Sequence, residues 1–296
     1  MFDSLSQKLT IVLFAMLIAS SASAKTIHKE RSIYRNVVIT ENNNERCMRF
    51  ETRRRAISNQ ACIDLTNKQR LVFEYTQSIM AGLAFNQAPK RILIIGLGGG
   101  SLPKAFAEIL PDTEVVSVEI DPAVAKLAKS YFDYQESDKI QTKIVDGRVF
   151  VKRALKNNQK FDWIILDAFN GDYIPEHLLT VEFLNETKSL LSQGGLLSAN
   201  TFNGSKLYDY ESVTYQRVFD QVRILKSPSK GNRIIFGCNC SAIDQQFKMD
   251  EALAKKLAPY GVNLYKALSR INAKVDWDES VEPLTDQFSP ANLLNQ

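Results

Sequence analysis

From Arg91 onward, short apolar runs alternate with stretches of helical periodicity. Arg91–Ile95 (RILII) is apolar without a polar face, which predicts a strand covered on both sides, as in a parallel sheet. A helical stretch from Leu102 to Leu110 follows, and Pro111-Asp112 ends it. Val115–Glu119 is the next strand, after which Asp121-Pro122 supplies an N-cap and a first-turn proline for another helix. The alternation continues through a strand at Ile140–Val145, a helix at Gly147–Leu155 and a strand at Phe161–Leu166 (FDWIIL). Val181–Leu191 reads as helix, Gly194-Gly195 as its stop and Leu196–Phe202 as strand. A helix at Tyr210–Gln221 and strands near Val222–Leu225 and Arg233–Gly237 complete the series. Alternation sustained over this length predicts a doubly wound α/β domain with a mostly parallel sheet, placed at residues 71–240.

The flanks carry other patterns. Ser32–Thr40 (SIYRNVVIT) and Arg46–Glu51 are strand-like runs around the turn-forming Glu41-Asn42-Asn43-Asn44-Glu45, so residues 25–70 read as a small N-terminal β domain. Arg53-Arg54-Arg55 reads as a solvated turn. Leu71–Leu83 places Val72, Tyr75, Ile79 and Leu83 on one helical face. Residues 241–270 add helices and the last 25 are polar, so 241–296 reads as a helical extension with a loosely packed tail. At the other end, Lys8 precedes an apolar run from Leu9 to Ala19 and small residues ending Ala22-Ser23-Ala24. That is the pattern of a secretory signal peptide over residues 1–24, with cleavage expected after Ala24. The run is shorter than the ~20 residues a bilayer span needs, so the cleaved chain keeps no stable membrane anchor and an uncleaved one is membrane-anchored. Export puts the mature chain in the periplasm or outside the cell.

Composition adjusts this picture in three places. Thirty-seven Lys+Arg against thirty-three Asp+Glu give +4, too mild and too dispersed to imply a nucleic-acid partner. Two histidines (His28 and His177) and four cysteines without zinc spacing imply no metal, and His177, after Pro175-Glu176, reads as a loop residue without a role. In an oxidising compartment Cys47 and Cys62, in two strand-like segments, can form a cross-strand disulfide. Cys238-Asn239-Cys240 encloses a loop too short to close without strain, and reads as two free thiols at a strand end.

In an open α/β sheet, ligands bind at the carboxyl ends of the strands, near the switch in strand order. Four such ends carry suggestive residues. Gly96, Gly98 and Gly100 let backbone approach a ligand closely at a helix N-terminus. No Gly-Lys-Ser/Thr follows, which excludes a P-loop. Glu119, about twenty residues on, can accept both hydroxyls of a ribose. Asp146-Gly147 offers an acceptor for an adenine amino group, and Asp167 faces the pocket mouth, where it can take a proton from a nucleophile. The first two features leave a dinucleotide open. All four together fit an S-adenosyl nucleoside better.

On the motifs ILIIGLGGGSL, VVSVEIDP, DGRVF, FDWIILDAFNGDYIP and LLTVEFL, residues 30–240 resemble the spermidine synthase family of polyamine aminopropyltransferases, especially its spermidine-synthase-like branch. The resemblance implies a Rossmann-like sheet of the class I methyltransferase type with a small N-terminal β piece. It implies transfer of an aminopropyl group from decarboxylated S-adenosylmethionine, or a close analogue such as S-adenosylmethionine, to a small amine, without a metal. In that reading Glu119 binds ribose, Asp146 lies beside adenine, Asp167 is the base, and Tyr75, Gln77 and Asn170 line the amine side. A homodimer is implied as well. The chain departs from the family at Gly99, at Gln77 and at Ala168-Phe169-Asn170, where acids or hydroxyl residues are usual. Thinning the acids along a channel for a polycation leaves two other readings open: an S-adenosylmethionine-dependent methyltransferase, and a non-catalytic periplasmic protein that binds a nucleoside or an amine.

Overall fold

The computed structural model describes residues 24–51, 59–169, 173–229, 231–248 and 250–290. The leader up to Ser23, the Arg53–Arg55 run and Asn170 therefore lie outside the described residues. Strands β1 (Lys25–Glu30), β2 (Val37–Asn42), β3 (Glu45–Phe50) and β4 (Asn59–Asp64) form an antiparallel meander in that order. β1 has no apolar alternation because it is a half-exposed edge strand, and the sequence pattern passes over it. The run at Ser32 becomes strand only at Val37: the Ser32 hydroxyl donates to the Asp121 carboxylate (2.5 Å), which ties this stretch to the neighbouring domain. Cys47 and Cys62 are direct cross-strand partners and are disulfide-bonded, with their Cα atoms 4.1 Å apart.

Next come α1 (Glu74–Met80), β5 (Arg91–Ile95), α2 (Ser101–Ile109), β6 (Glu114–Glu119), α3 (Pro122–Tyr131), β7 (Ile140–Ile144), α4 (Gly147–Lys156), β8 (Phe161–Leu166), α5 (Val181–Leu190), β9 (Leu191–Phe202), α6 (Tyr208–Phe219), β10 (Arg223–Lys226) and β11 (Asn232–Cys238). α7 (Glu251–Leu257) and α8 (Leu264–Leu268) follow. The seven strands form one sheet in the order β10-β11-β9-β8-β5-β6-β7, parallel from β9 to β7 and antiparallel where β11 meets its two neighbours. RILII shows why helices cover both faces: Ile92 and Ile94 pack with Leu102, Phe106, Leu257 and Leu264, while Leu93 and Ile95 pack with Val151, Phe183 and Tyr215. The N-terminal meander sets Val37, Ile39, Met48 and Ala61 against Val124 and Leu127 of α3 and against Phe132. That contact fixes the small sheet over the carboxyl ends of the parallel strands.

Four expectations need correction. The Leu71–Leu83 helix is shorter: Leu71 bridges to Ile63, α1 starts at Glu74 and a 3-10 turn spans Ala81–Ala84. Gly194-Gly195 does not precede the strand but lies within β9, in a bulge where the register against β8 shifts. Cys238 and Cys240 are disulfide-bonded rather than free. Asn239 between them pairs its N–H with Gly195 and its carbonyl with Gly194, and the Cα atoms lie 5.3 Å apart, a separation a disulfide spans.

The polar C-terminal segment, finally, is packed and not loose. Trp277 and Leu284 are buried, and the Leu284 backbone pairs with Val181 and with the Thr214 hydroxyl. Asp286 accepts from Thr180 (2.8 Å) and from both terminal nitrogens of Arg148 (2.6 and 2.7 Å), which also holds Glu186 (3.0 Å). Its polarity is spent on pairs across α4 and α5. Arg148→Ala is expected to lower stability by about 1–2 kcal/mol, more than an isolated surface pair because two carboxylates lose a bidentate partner. Hydrogen exchange should accelerate around Leu284 and Asp286; unchanged exchange would mean that Trp277 and Leu284 alone hold the segment.

Candidate functional site

A cavity of about 370 Å³ opens at the carboxyl ends of β5, β6 and β8, under the N-terminal meander. It sits at the switch point, where the chain leaves β5 toward β6 on one side and returns to β8 on the other. Its walls include Gly96–Gly99, Glu119, Asp146, Gly147, Asp167 and Tyr75 from the α/β domain, and Phe50, Gln60 and Ala61 from the meander.

Gly96 leaves β5 at φ 110°, where a Cβ would lie 2.3 Å from the Asp167 carbonyl oxygen. Only glycine permits this approach, and the approach sets the glycine turn beside the Asp167 strand end. Gly98 also lines the cavity in the left-handed region (φ 54°). Gly100 does not line it: at φ 74° it turns the chain into α2, and a Cβ there would meet the Tyr134 ring at 2.6 Å. At Gly99 a Cβ would come within 3.1 Å of Ala61 and 3.0 Å of Phe132, so an acidic side chain there would require those neighbours to give by a few tenths of an ångström.

Glu119 ends β6 with its carboxylate aimed back at the turn. Oε2 accepts from the Leu97 N–H (3.2 Å) and Oε1 from the Asp121 N–H (2.9 Å). Burial pushes its pKa up to about 7, against the lowering effect of those backbone donors. Asp121 caps α3 through the Ala123 N–H (2.8 Å), as its position before Pro122 implies.

Asp146 caps α4: Oδ1 accepts from the Val149 N–H (3.0 Å), and Oδ2 lies 2.9 Å from His177 Nε2. Burial works against its ionisation, yet the Val149 N–H and the imidazole together hold its pKa below the usual carboxylate value. His177, given no role from sequence, thus lines the cavity and orients Asp146. Their sequence separation of 31 hides this contact from any local motif. Gly147 packs against Ile95, where a Cβ would meet a methyl group at 2.7 Å. His177→Ala is expected to weaken nucleoside binding about fivefold, the worth of one hydrogen bond to a charged group partly screened by solvent. Calorimetry measures it, and unchanged affinity would reduce His177 to a wall residue.

Asp167 follows β8 and is the acid at the heart of the cavity. Asn200 Nδ2 donates to its Oδ1 (2.9 Å), and the Tyr75 hydroxyl donates to the same carboxylate. Burial pushes Asp167 up to about 7 despite both donors. Burial and the Asp167 charge together push the Tyr75 phenol well above its ordinary value, so Tyr75 stays a donor. A buried carboxyl poised near neutrality and held by two neutral donors can exchange a proton with a nucleophile in the cavity.

Gln77 is not part of this site. Its amide donates to the Leu71 carbonyl (2.7 Å) and packs against Gly261, on the opposite face of α1 from Tyr75. Asn200 was missed from sequence, although an Asn inside the otherwise apolar end of Leu196–Phe202 is a visible anomaly. Glu45, Cys47 and Cys62 cluster closely enough for a metal, but both sulfurs are tied in the disulfide and offer no thiolate.

Residues 72–225 match the family model described as the spermine/spermidine synthase domain. A polyamine aminopropyltransferase of Vibrio vulnificus is 45% identical over 293 residues, covering 96% of this chain and 98% of that one. Among solved structures, a probable spermidine synthase from Corynebacterium glutamicum matches with a TM-score of 0.63 at 23% identity, covering 86% of this chain and 98% of that one. A spermidine synthase in complex with the transition-state analogue AdoDATO matches with a TM-score of 0.60 at 18% identity, covering 83% and 88%. These two structural likenesses speak to the fold.

Proposed function

The chain belongs to the spermine/spermidine synthase family, and from that membership we propose that it transfers an aminopropyl group from decarboxylated S-adenosylmethionine to a small amine. The observation that carries this reading is the alignment of three acids around one cavity: Glu119 and Asp146 on the nucleoside side, and Asp167 with Tyr75 on the other. Glu119 takes the ribose hydroxyls on lone pairs left free by Leu97 and Asp121. Asp146 takes the adenine amino group, and the glycine turn lets the nucleoside lie against backbone.

In the reaction an amine nitrogen attacks the methylene next to the sulfonium. The new C–N bond forms as the C–S bond breaks, its electron pair goes to sulfur, and methylthioadenosine leaves. The excess proton on nitrogen passes to the Asp167 carboxylate. The sulfonium leaves readily, so the protein's share of catalysis is orientation and a base that keeps the amine's lone pair free. Asp167 with a pKa of about 7 ionises in the working range, and the Tyr75 hydroxyl and Asn200 amide fix its aim.

One observation favours a second reading. Arg35 lines the same cavity, and position 99 is neutral; a cation on the wall with no acid at position 99 suits a donor that keeps its carboxylate, as S-adenosylmethionine does in methyl transfer. Calorimetric titration of residues 25–296 with both donors and with methylthioadenosine tests the two. Tight binding of the decarboxylated donor and of methylthioadenosine supports aminopropyl transfer and leads to an amine screen. Preference for S-adenosylmethionine moves the assignment to methyl transfer, and no binding of any of the three sinks both.

The same proposal includes export. The leader pattern over residues 1–24 supports it, as do the disulfides Cys47–Cys62 and Cys238–Cys240, which persist in oxidising compartments. We further propose a homodimer with no bound metal, on the family resemblance; light scattering and elemental analysis of the purified protein check both.

A further inference from the structure

We infer that Asn200 and, behind it, Asn232 are positioning residues that fix the Asp167 carboxylate as an acceptor aimed at the incoming amine. Asn200 lies on β9 opposite Ile234 of β11, is 3% exposed, and stands on a strand whose neighbours Leu197 and Ala199 are core residues. An amide has no packing reason to be there, and burying one without hydrogen-bond partners is costly. It has two partners. Nδ2 donates to Asp167 Oδ1 (2.9 Å), and Oδ1 accepts from Asn232 Nδ2 (3.0 Å).

The second bond decides the orientation of the first. An Asn side chain offers a donor end and an acceptor end that are nearly the same shape, and a flip exchanges them. With the Asn232 amide donating from behind, the carbonyl end of Asn200 must face β11 and the N–H₂ end must face Asp167. The flipped state would set a carbonyl against a carboxylate and two N–H₂ groups against each other, losing both bonds. Asn232 therefore acts on Asp167 at one remove, and Tyr75 completes the grip from α1. One carboxylate oxygen is held by the amide pair, and the lone pairs that remain are left for the phenol and for an amine N–H.

This inference rests on the proposed role of Asp167 as the base, but its test does not require turnover. Asp167 shares the cavity with Glu119, Asp146, His177, Tyr75 and Arg35, none of which is altered by substitutions at 200 or 232. The experiment follows Asp167 ionisation directly, by carboxyl carbon NMR of protein labelled at aspartate, with Asp167→Asn to assign the signal. In Asn200→Leu the carboxylate loses one of its two side-chain donors, and its titration is expected to move upward by about one pH unit. Asn232→Leu leaves Asn200 free to flip and should move it in the same direction by less, while Asn232→Gln should restore the wild-type midpoint. Where turnover is measurable, the acid limb of kcat/KM should move with the NMR midpoint.

A merely structural pair would lower the melting temperature and leave the midpoint in place. Unchanged midpoints in both folded Leu variants overturn the inference. If Asn200→Leu does not fold, Asn200→Ser and Asn232→Leu carry the same comparison. A shifted midpoint in a protein that transfers no aminopropyl group would uphold the positioning role and refute the proposed reaction, so the two failures are distinguishable.

Discussion

Asp167→Asn is expected to lower turnover by about 10³-fold, within the range a general base contributes, while methylthioadenosine binds as before. Asparagine keeps a carbonyl for Asn200 to donate to, so the geometry at the end of β8 survives and only the proton acceptor is lost. The pH dependence follows from the same group. Burial raises Asp167 from its ordinary 3.8 to about 7, so wild-type kcat/KM should fall as pH drops through about 7, where the protonated acid can no longer take the ammonium proton. The variant's residual rate should lack that limb.

Stability runs the other way. A carboxyl whose folded-state pKa is raised holds its proton more tightly folded than unfolded, so it favours the fold at low pH. That advantage is lost as pH rises from about 4 through about 7. Above pH 7.5 the uncharged variant should therefore be the more stable protein, by roughly 2–4 kcal/mol, and the gap should close toward pH 4. Thermal melts across pH with a parallel rate profile measure both. A variant that is inactive but no more stable at pH 8 would mean that Asp167 is ionised at little cost and is solvated within the cavity.

The sheet and the strand-end residues that meet at the cavity were readable in the sequence because both rest on local signals. RILII and FDWIIL are short apolar runs that need cover on two faces, and each ends in the residue the site uses, Gly96 and Asp167. Asp121-Pro122 and Asp146-Gly147 announce helix starts by the same chemistry that holds them there, side-chain capping of backbone N–H groups. What was not readable depends on contacts across long separations. His177 reaches Asp146 and Asn200 reaches Asp167 only because β8, β9 and the loop before α5 converge, and no periodicity encodes that. Gln77 failed for the opposite reason: its neighbour Tyr75 is in the site, but two residues along a helix turn a side chain by about 200°, away from the cavity. The C-terminal tail reads as loosely packed because its anchors are few, a Trp, a Leu and an Asp within a polar stretch, and their partners lie on α4, α5 and α6.

Glu119→Gln is expected to weaken methylthioadenosine binding about 10²-fold at pH 8, the loss of one or two charge-assisted hydrogen bonds of ~1.5–3 kcal/mol each. The substitution is not isosteric in function. The wild-type carboxylate accepts from two backbone donors, Leu97 N–H and Asp121 N–H, and a glutamine amide must turn its own N–H₂ toward one of them. The ribose then meets a donor where it needs an acceptor, and the glycine turn loses a tie at Leu97. Turnover at saturating donor should fall far less than affinity, the reverse of the split at Asp167, because in the proposed binding mode Glu119 holds the ribose and not the reacting nitrogen. Burial raises Glu119 to about 7, so the free wild-type protein carries this carboxyl largely protonated at pH 6. Ribose hydroxyls favour the ionised form, so binding should release a proton there, and wild-type affinity should rise with pH up to about 7. The deficit of Glu119→Gln should accordingly shrink below pH 6, where the wild type has itself lost the charge. Calorimetry at pH 6.5 in two buffers of different ionisation enthalpy reads the released proton, which the variant should abolish. Equal affinity of the two proteins at pH 8, with no released proton in either, would take Glu119 out of ribose recognition and leave it a brace for the glycine turn.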